Sequence, residues 1–197
     1  MNTDVVGRLT AYQMADKMKR RIVWACLFAL ACLYPCVSRA ADDFTVCKGT
    51  FALCTTAKCA PFPGQEGIVS CECDVRTGYS AGHQSCRDAE ATNPGQLMSR
   101  YYPVKYHVIC SNSRPWASCL DKPCTVEKGN PSRASCACSL MKDQGDYVIV
   151  TETYADSTCT TGIISSATVK DPAQITDFLK TQGNLKPFPI KIVNPKQ

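Results

Sequence analysis

The sequence predicts a small disulfide-rich fold, mostly β with irregular loops, made of two tandem six-cysteine modules and one C-terminal α-helix. Three observations carry this. Twelve of the 15 cysteines follow residue 40 and divide into two sets: Cys47, Cys54, Cys59, Cys71, Cys73 and Cys86, then Cys110, Cys119, Cys124, Cys136, Cys138 and Cys159. Each set contains C-x4-C-x11-C-x-C without a gap. After residue 40 the residues recur in short β-branched and aromatic runs, and a single stretch has helical spacing.

The matching extends beyond cysteine. An aromatic-alanine pair stands three residues before the second cysteine of each set, as Phe51-Ala52 and Trp116-Ala117. Both sets read Ser-Cys-x-Cys, at Ser70–Cys73 and Ser135–Cys138, and both place a glycine five residues after the third cysteine, Gly64 and Gly129. A β-branched residue precedes each first cysteine, Val46 and Ile109. Shared spacing of this kind is the mark of an internal repeat, and two copies make a tandem or pseudo-symmetric pair. The outer spacers differ, six against eight residues at the start and twelve against twenty at the end. Such insertions belong in surface loops.

In chain order, residues 1–40 read as a signal peptide. Lys17, Lys19, Arg20 and Arg21 precede an apolar run at 22–37, and Ser38-Arg39-Ala40 offers small residues for cleavage before Ala41. The run is short for a membrane span of about 20 residues. Residues 1–17 lack export character and read as an upstream extension; an uncleaved signal anchor is the alternative. The leader holds three cysteines, six basic and two acidic residues, so the +5 net charge of the whole chain falls to +1 after cleavage. That balance argues against a polyanion, nucleic acid included, as partner. Module 1 is assigned to 41–92, a connector to 93–103, module 2 to 104–162, and a helix with an extended tail to 163–197.

Export implies an oxidising compartment, and modules of this size need staples because their cores are small. All twelve cysteines are expected in disulfides, within sets rather than between them. Six cysteines allow 15 pairings. Residues two apart on a strand share a face. Cys71 and Cys73, and Cys136 and Cys138, should therefore each staple one central strand to two earlier segments. The alternative is metal: Cys54, Cys59, Cys71, Cys73, Cys119, Cys124, Cys136 and Cys138 are enough for zinc or an iron–sulfur cluster. Metal needs thiolates, and Cys-x-Cys is tighter than usual zinc spacing. No Cys-x-x-Cys redox pair is present.

Strand signals lie at 104–110, 147–153 and, more weakly, 163–169. Pro61, Pro63, Gly64 and Gly67, and likewise Asn130-Pro131-Ser132, read as irregular loops; Gly145-Asp146 reads as a turn, and Asn93-Pro94-Gly95 as the joint between modules. The helix is expected over 171–182, with Asp171 as N-cap, Pro172 at the first helical position, Gly183 as the stop, and an Ile175/Phe178/Leu179 stripe docked on module 2. The proline-interrupted segment after it, 184–193, is extended, either an edge strand or a free tail.

No catalytic constellation appears. His83 and His107 lack a partner at metal-binding or nucleophile-activating spacing, and no Gly-x-Ser-x-Gly elbow, phosphate loop or dinucleotide motif occurs. Phe51 and Trp116 read as aromatics packed over disulfides, and Tyr101, Tyr102 and Tyr106 as a clasp between modules. The expectation is an exported, non-enzymatic protein with no cofactor, periplasmic or secreted and free of the membrane after cleavage. It binds a protein or envelope partner, or serves structurally, with specificity in the unequal loops at 87–100 and 139–158. The alternative is a metal- or cluster-carrying protein.

Overall fold

The computed structural model describes residues 44–87, 94–183, 185 and 190–194. The expected signal peptide, the expected 1–17 extension, part of the expected joint and part of the expected 184–193 tail lie outside the described residues. The elements are β1 (Thr45–Leu53), β2 (Lys58–Pro61), β3 (Ile68–Gly82), β4 (Gln96–Met98), β5 (Tyr106–Cys110), β6 (Trp116–Ser118), β7 (Pro123–Glu127), β8 (Asn130–Met141), β9 (Tyr147–Thr151), a 3-10 turn (Asp156–Cys159), β10 (Ile163–Thr168), helix α1 (Lys170–Lys180) and β11 (Lys191–Val193). The fold is mostly β, disulfide-rich and carries one described α-helix. Both cysteine sets fall in one contact unit, residues 42–197.

The strands join in one mixed sheet, ordered β11-β5-β9-β10-β2-β3-β8-β7-β4, with β1 on β3 and β6 bridging β8 and β10. At its centre β3 and β8 pair antiparallel over seven residues, Ile68↔Ser139 to Asp74↔Arg133. The middle pair is Cys71↔Cys136, the fourth cysteine of each set. The preceding serines also meet, Ser70 Oγ and Ser135 Oγ lying 2.7 Å apart. Alternation puts Val69, Cys71 and Cys73 of β3, and Ala134, Cys136 and Cys138 of β8, on one fully buried face. The core there is half-cystine and small aliphatic, with Ala52, Ala57 and Ala117 completing it.

Six disulfides staple this framework: Cys47–Cys86, Cys54–Cys73 and Cys59–Cys71, then Cys110–Cys159, Cys119–Cys138 and Cys124–Cys136. Every bond is within a set and joins first to sixth, second to fifth and third to fourth cysteine. Each Cys-x-Cys strand is stapled twice to the two segments before it. The inner bonds span the same separations, 19 and 12 residues, in both sets.

The segments that follow each set cross over. β4, after the first set, pairs with β7 of the second, Leu97 opposite Cys124. β10, after the second set, pairs with β2 of the first, Ile163 opposite Cys59. The crossing chains then run parallel to matched alanines, Ser99 beside Ala52 and Ser165 beside Ala117. Ser99 N–H donates to Lys122 O and Ser165 N–H to Ala57 O, both at 2.9 Å.

Several local expectations are corrected. Asn130–Ser132 opens β8 instead of forming a loop, because Gly129 (φ +84°) turns the chain before it. Pro61 ends β2, opposite Val69, where an edge position tolerates the missing N–H. The helix begins at Lys170 with Val169 as N-cap; Thr168 Oγ1 accepts from Asp171 N–H, and Asp171 is an acidic first-turn residue rather than the cap. Pro172 is tolerated at the third position since first-turn N–H groups lack intrahelical partners. The stripe buries Ile175 and Leu179 against Ala81, Phe44, Val46 and Tyr101 as well as Leu120, so it rests on both cysteine halves, not on the second alone. The tail contributes β11, parallel to β5 with Ile192 opposite His107.

Candidate functional site

A cleft enclosing about 100 Å³ opens where the crossing chains meet the strand ends. Its walls come in matched pairs. Leu53-Cys54-Thr55 leaves β1 on one side, and Ser118-Cys119-Leu120 leaves β6 on the other. Ser99–Tyr102 and Ser165–Ala167 are the two crossing chains. Phe44, Val150 and the first turns of α1, through Asp171, Pro172 and Ile175, close it without a matching partner. Apolar and polar residues share the lining: Leu53, Leu120, Val150 and Ile175 stand beside serine, threonine and tyrosine hydroxyls, the Arg100 guanidinium and the Asp171 carboxylate.

Local chain geometry sets these walls. Two residues past the second cysteine of each set, Thr56 (φ +51°) and Asp121 (φ +55°) adopt the same left-handed conformation and turn the chain back toward the third cysteine. The turn brings Lys122 N–H to within 2.9 Å of Ser99 Oγ, and Ser99 Oγ also donates to Cys119 O. The crossing chain is thus fastened to the turn it passes.

Behind one wall lies a buried ion pair. Arg100 Nη1 meets Asp121 Oδ1 at 2.9 Å, their side chains 1% and 9% exposed. Arg100 also donates to Gln84 O, Thr45 O and the Cys47 sulfur, at 2.9, 2.8 and 3.1 Å. Asp121 Oδ2 accepts from His83 N–H and Gln84 N–H. The start of β1 and the chain leaving β3, which meet at one end of the ribbon, are therefore both pinned to a turn of the second half. A Cβ at Gly82 would lie 2.3 Å from Asp121 Oδ1 and 2.6 Å from Arg100 Nη1, which explains glycine there. Arg100 Nε and Trp116 Nε1 are buried without a partner among the described residues.

A second polar group sits beside the cleft. Tyr101 Oη lies 2.7 Å from Thr176 Oγ1 on α1 and 3.1 Å from His107 Nε2 on β5. Burial pushes the Tyr101 phenol up to about 12, the bond to Thr176 offsetting part of this. Burial also lowers His107 below its ordinary value near 6.5, and the nearby Lys180 charge adds to that. At neutral pH the trio is an uncharged bridge between strand, connector and helix. It holds no anionic nucleophile.

The aromatics stand where the cysteine spacing places them. Trp116 is buried in a cluster with Cys110, Cys159 and Tyr147, its ring 6.2 Å from that of Tyr147. Phe51 is buried beside Cys47 and Met98. Of the three clustered tyrosines, Tyr101 makes the clasp; Tyr102 is exposed at the cleft mouth and Tyr106 lies under Lys105. His83 is exposed and lies against Phe44, ring centroids 4.6 Å apart.

Residues 88–93 of the first unequal segment lie outside the described residues, and both segments contain paired strands among the residues that are described. Within 87–100, Gln96–Met98 is a strand and Ser99 and Arg100 are buried; within 139–158, Ser139–Met141 and Tyr147–Thr151 are paired. The eight cysteines considered for metal are all disulfide partners, and a disulfide sulfur is not the thiolate donor that zinc or an iron–sulfur cluster takes.

No protein-family model, curated protein or solved structure matches this chain.

The six disulfides fit a protein of an oxidising compartment, extracellular or in the cell envelope. Among the described residues no helix is long and apolar enough to cross a membrane. Chemically, the cleft offers apolar contact over a disulfide floor, hydroxyls for orientation, and the charged groups of Arg100 and Asp171. The cysteine spacing signals its floor; the cleft and the Arg100–Asp121 pair have no signal in the spacing, because both arise from chain crossings between distant segments.

Proposed function

We propose that the protein is exported, non-enzymatic and stapled by disulfides, and that it binds a small, mostly apolar, uncharged ligand in the cleft between its two cysteine halves. In this reading the halves are equivalent units of an internal duplication, related by an approximate two-fold axis through Cys71 and Cys136. The observation that carries the proposal is the cleft itself, built from matched wall segments of both halves and closed by residues that have no counterpart. Sites between equivalent units are common places for ligands, and a mostly apolar pocket with few polar groups is the usual form. The volume suits a single ring or a short aliphatic chain rather than a large cofactor.

The test is a nuclear magnetic resonance titration with phenol and with hexanol, repeated on Ala167→Phe. Ala167 lines the cleft, and a phenyl group there would fill it. The expected result is saturable shifts confined to cleft residues in the native protein and their loss in the variant, with six disulfides and the unfolding midpoint preserved. Equal shifts in both proteins, or none in either, overturn the cleft as the binding site.

A further inference from the structure

The four inner disulfides do more than staple their own strands: they touch one another across the boundary between sets. Cys54 Sγ lies 3.5 Å from Cys136 Sγ, a contact between two separate disulfides. Three sulfur triples, Cys59/Cys71/Cys119, Cys54/Cys119/Cys138 and Cys54/Cys73/Cys136, each lie within 4.8 Å of one another. The bonds therefore form a continuous chain: Cys59–Cys71, Cys119–Cys138, Cys54–Cys73, Cys124–Cys136. Seven of these eight cysteines are buried, and Cys59 alone is partly exposed. The outer bonds, Cys47–Cys86 and Cys110–Cys159, have no member in any triple.

We infer that this core is a thiol–disulfide relay, opened at Cys59 by a dithiol reductant, through which a bond passes from within one cysteine set to between the two. A thiolate of the reductant attacks the sulfur of Cys59, the one partly exposed residue of the eight. The Cys59–Cys71 bond breaks, a mixed disulfide forms at Cys59, and Cys71 leaves as a thiolate. That thiolate is already within 4.8 Å of Cys119. It attacks Cys119, forming Cys71–Cys119 and expelling Cys138 as thiolate, which takes up a proton. The second thiol of the reductant then displaces Cys59 from the mixed disulfide and leaves as the oxidised, cyclic disulfide. The dithiol has given two electrons and two protons. The protein retains five disulfides, one of them joining the halves, with free thiols at Cys59 and Cys138. Exchange proceeds through thiolate attack on a neighbouring sulfur, and holding the partners together raises its rate as in any intramolecular reaction. Further steps along the chain, Cys138 onto Cys54 for instance, also create bonds between sets.

The chemistry that acts on this site is therefore a dithiol oxidoreductase or isomerase, and Cys59 is where it docks covalently. The experiment uses the native chain. It is treated briefly with dithiothreitol at pH 8, quenched with acid, alkylated, and cleaved under non-reducing conditions for peptide mapping. The expected dominant two-thiol species carries alkylated Cys59 and one disulfide between the sets, Cys71–Cys119 or a bond further along the chain. A dominant species with Cys59 and Cys71 both alkylated and five native bonds intact overturns the relay. First opening of Cys47–Cys86 or Cys110–Cys159 overturns Cys59 as its start.

Discussion

The two cysteine halves share their stapled centre and differ in the ribbon that leaves it. In the first half, β1 and β3 pair without interruption over nine residues, Thr45↔Gly82 to Leu53↔Asp74. In the second, the corresponding ribbon is broken in two. β6 pairs with the end of β8, and β5 with β9. Between the pieces, Ser113 (φ +50°) and Pro115 on one side, and Asp143 (φ +53°) and Gly145 (φ +70°) on the other, divert the backbone from the ladder. Asn112, in the break, donates through Nδ2 to Cys159 O at 2.8 Å. The lesson is that disulfides with identical separations hold the centre in one geometry, while the ladder beyond their reach drifts freely in length and register.

The largest effects should appear where the halves are most alike. Removing Cys59–Cys71 by double serine substitution, and separately Cys124–Cys136, should destabilise by about 3 kcal/mol each in the chain-entropy account of a short closed loop. Guanidinium unfolding would show this. Equal losses uphold the equivalence of the centres; a large inequality breaks it.

The next effect tests where they differ. Arg100 and Ser166 occupy matched places on the crossing chains, but only Arg100 has a buried ion pair. Arg100→Ala leaves Asp121 buried without its cation and should cost about 3–5 kcal/mol. Ser166→Ala, whose hydroxyl donates to Ile164 O at 3.2 Å, should stay within about 1 kcal/mol. Gly82→Ala intrudes on the same pair and should cost about 1–3 kcal/mol, as overpacking does. If calorimetry finds it neutral, the ion pair is more yielding than its five hydrogen bonds and contacts imply.

The smallest effect is in pH. His107 has its folded pKa lowered, so the unfolded chain takes a proton first as pH falls. Its contribution is fully present above about 6.5, and stability declines below that value until the folded pKa is passed. Urea midpoints at pH 7.5 and 5 should separate more for the native protein than for His107→Gln. An unchanged separation would remove His107 from the list of groups that hold α1 to β5.

How far the sequence discloses this architecture depends on how local each feature is. Strands at 106–110, 147–151 and 163–168 lie within the β-rich runs, and the ends of α1 lie within about two residues of the expected 171–182, because periodicity is written into neighbouring residues. The double stapling of β3 and β8 follows from Cys-x-Cys on an extended chain. The reciprocal crossing of β4 and β10 leaves no such trace: Gln96–Met98 is three unremarkable residues, made a strand by β7. Arg100 and Asp121 are 21 positions apart and look like ordinary surface charges. The N-cap is misplaced because the helix starts one residue before Asp171, whose own N–H is met by the Thr168 hydroxyl.

The crossing chains also impose an order on assembly. As the chain is synthesised, its first six cysteines are available to pair long before Ile163–Thr168 has been made. Until that late segment arrives, the outer edge of β2 has no neighbour and Ala57 O has no donor from Ser165. The first half can thus be fully oxidised yet unfinished, with an open strand edge exposed to other chains. The first half is complete only when the late-made β10 returns to the early-made β2, and this delay is when the protein is most open to mispairing or to capture by a chaperone.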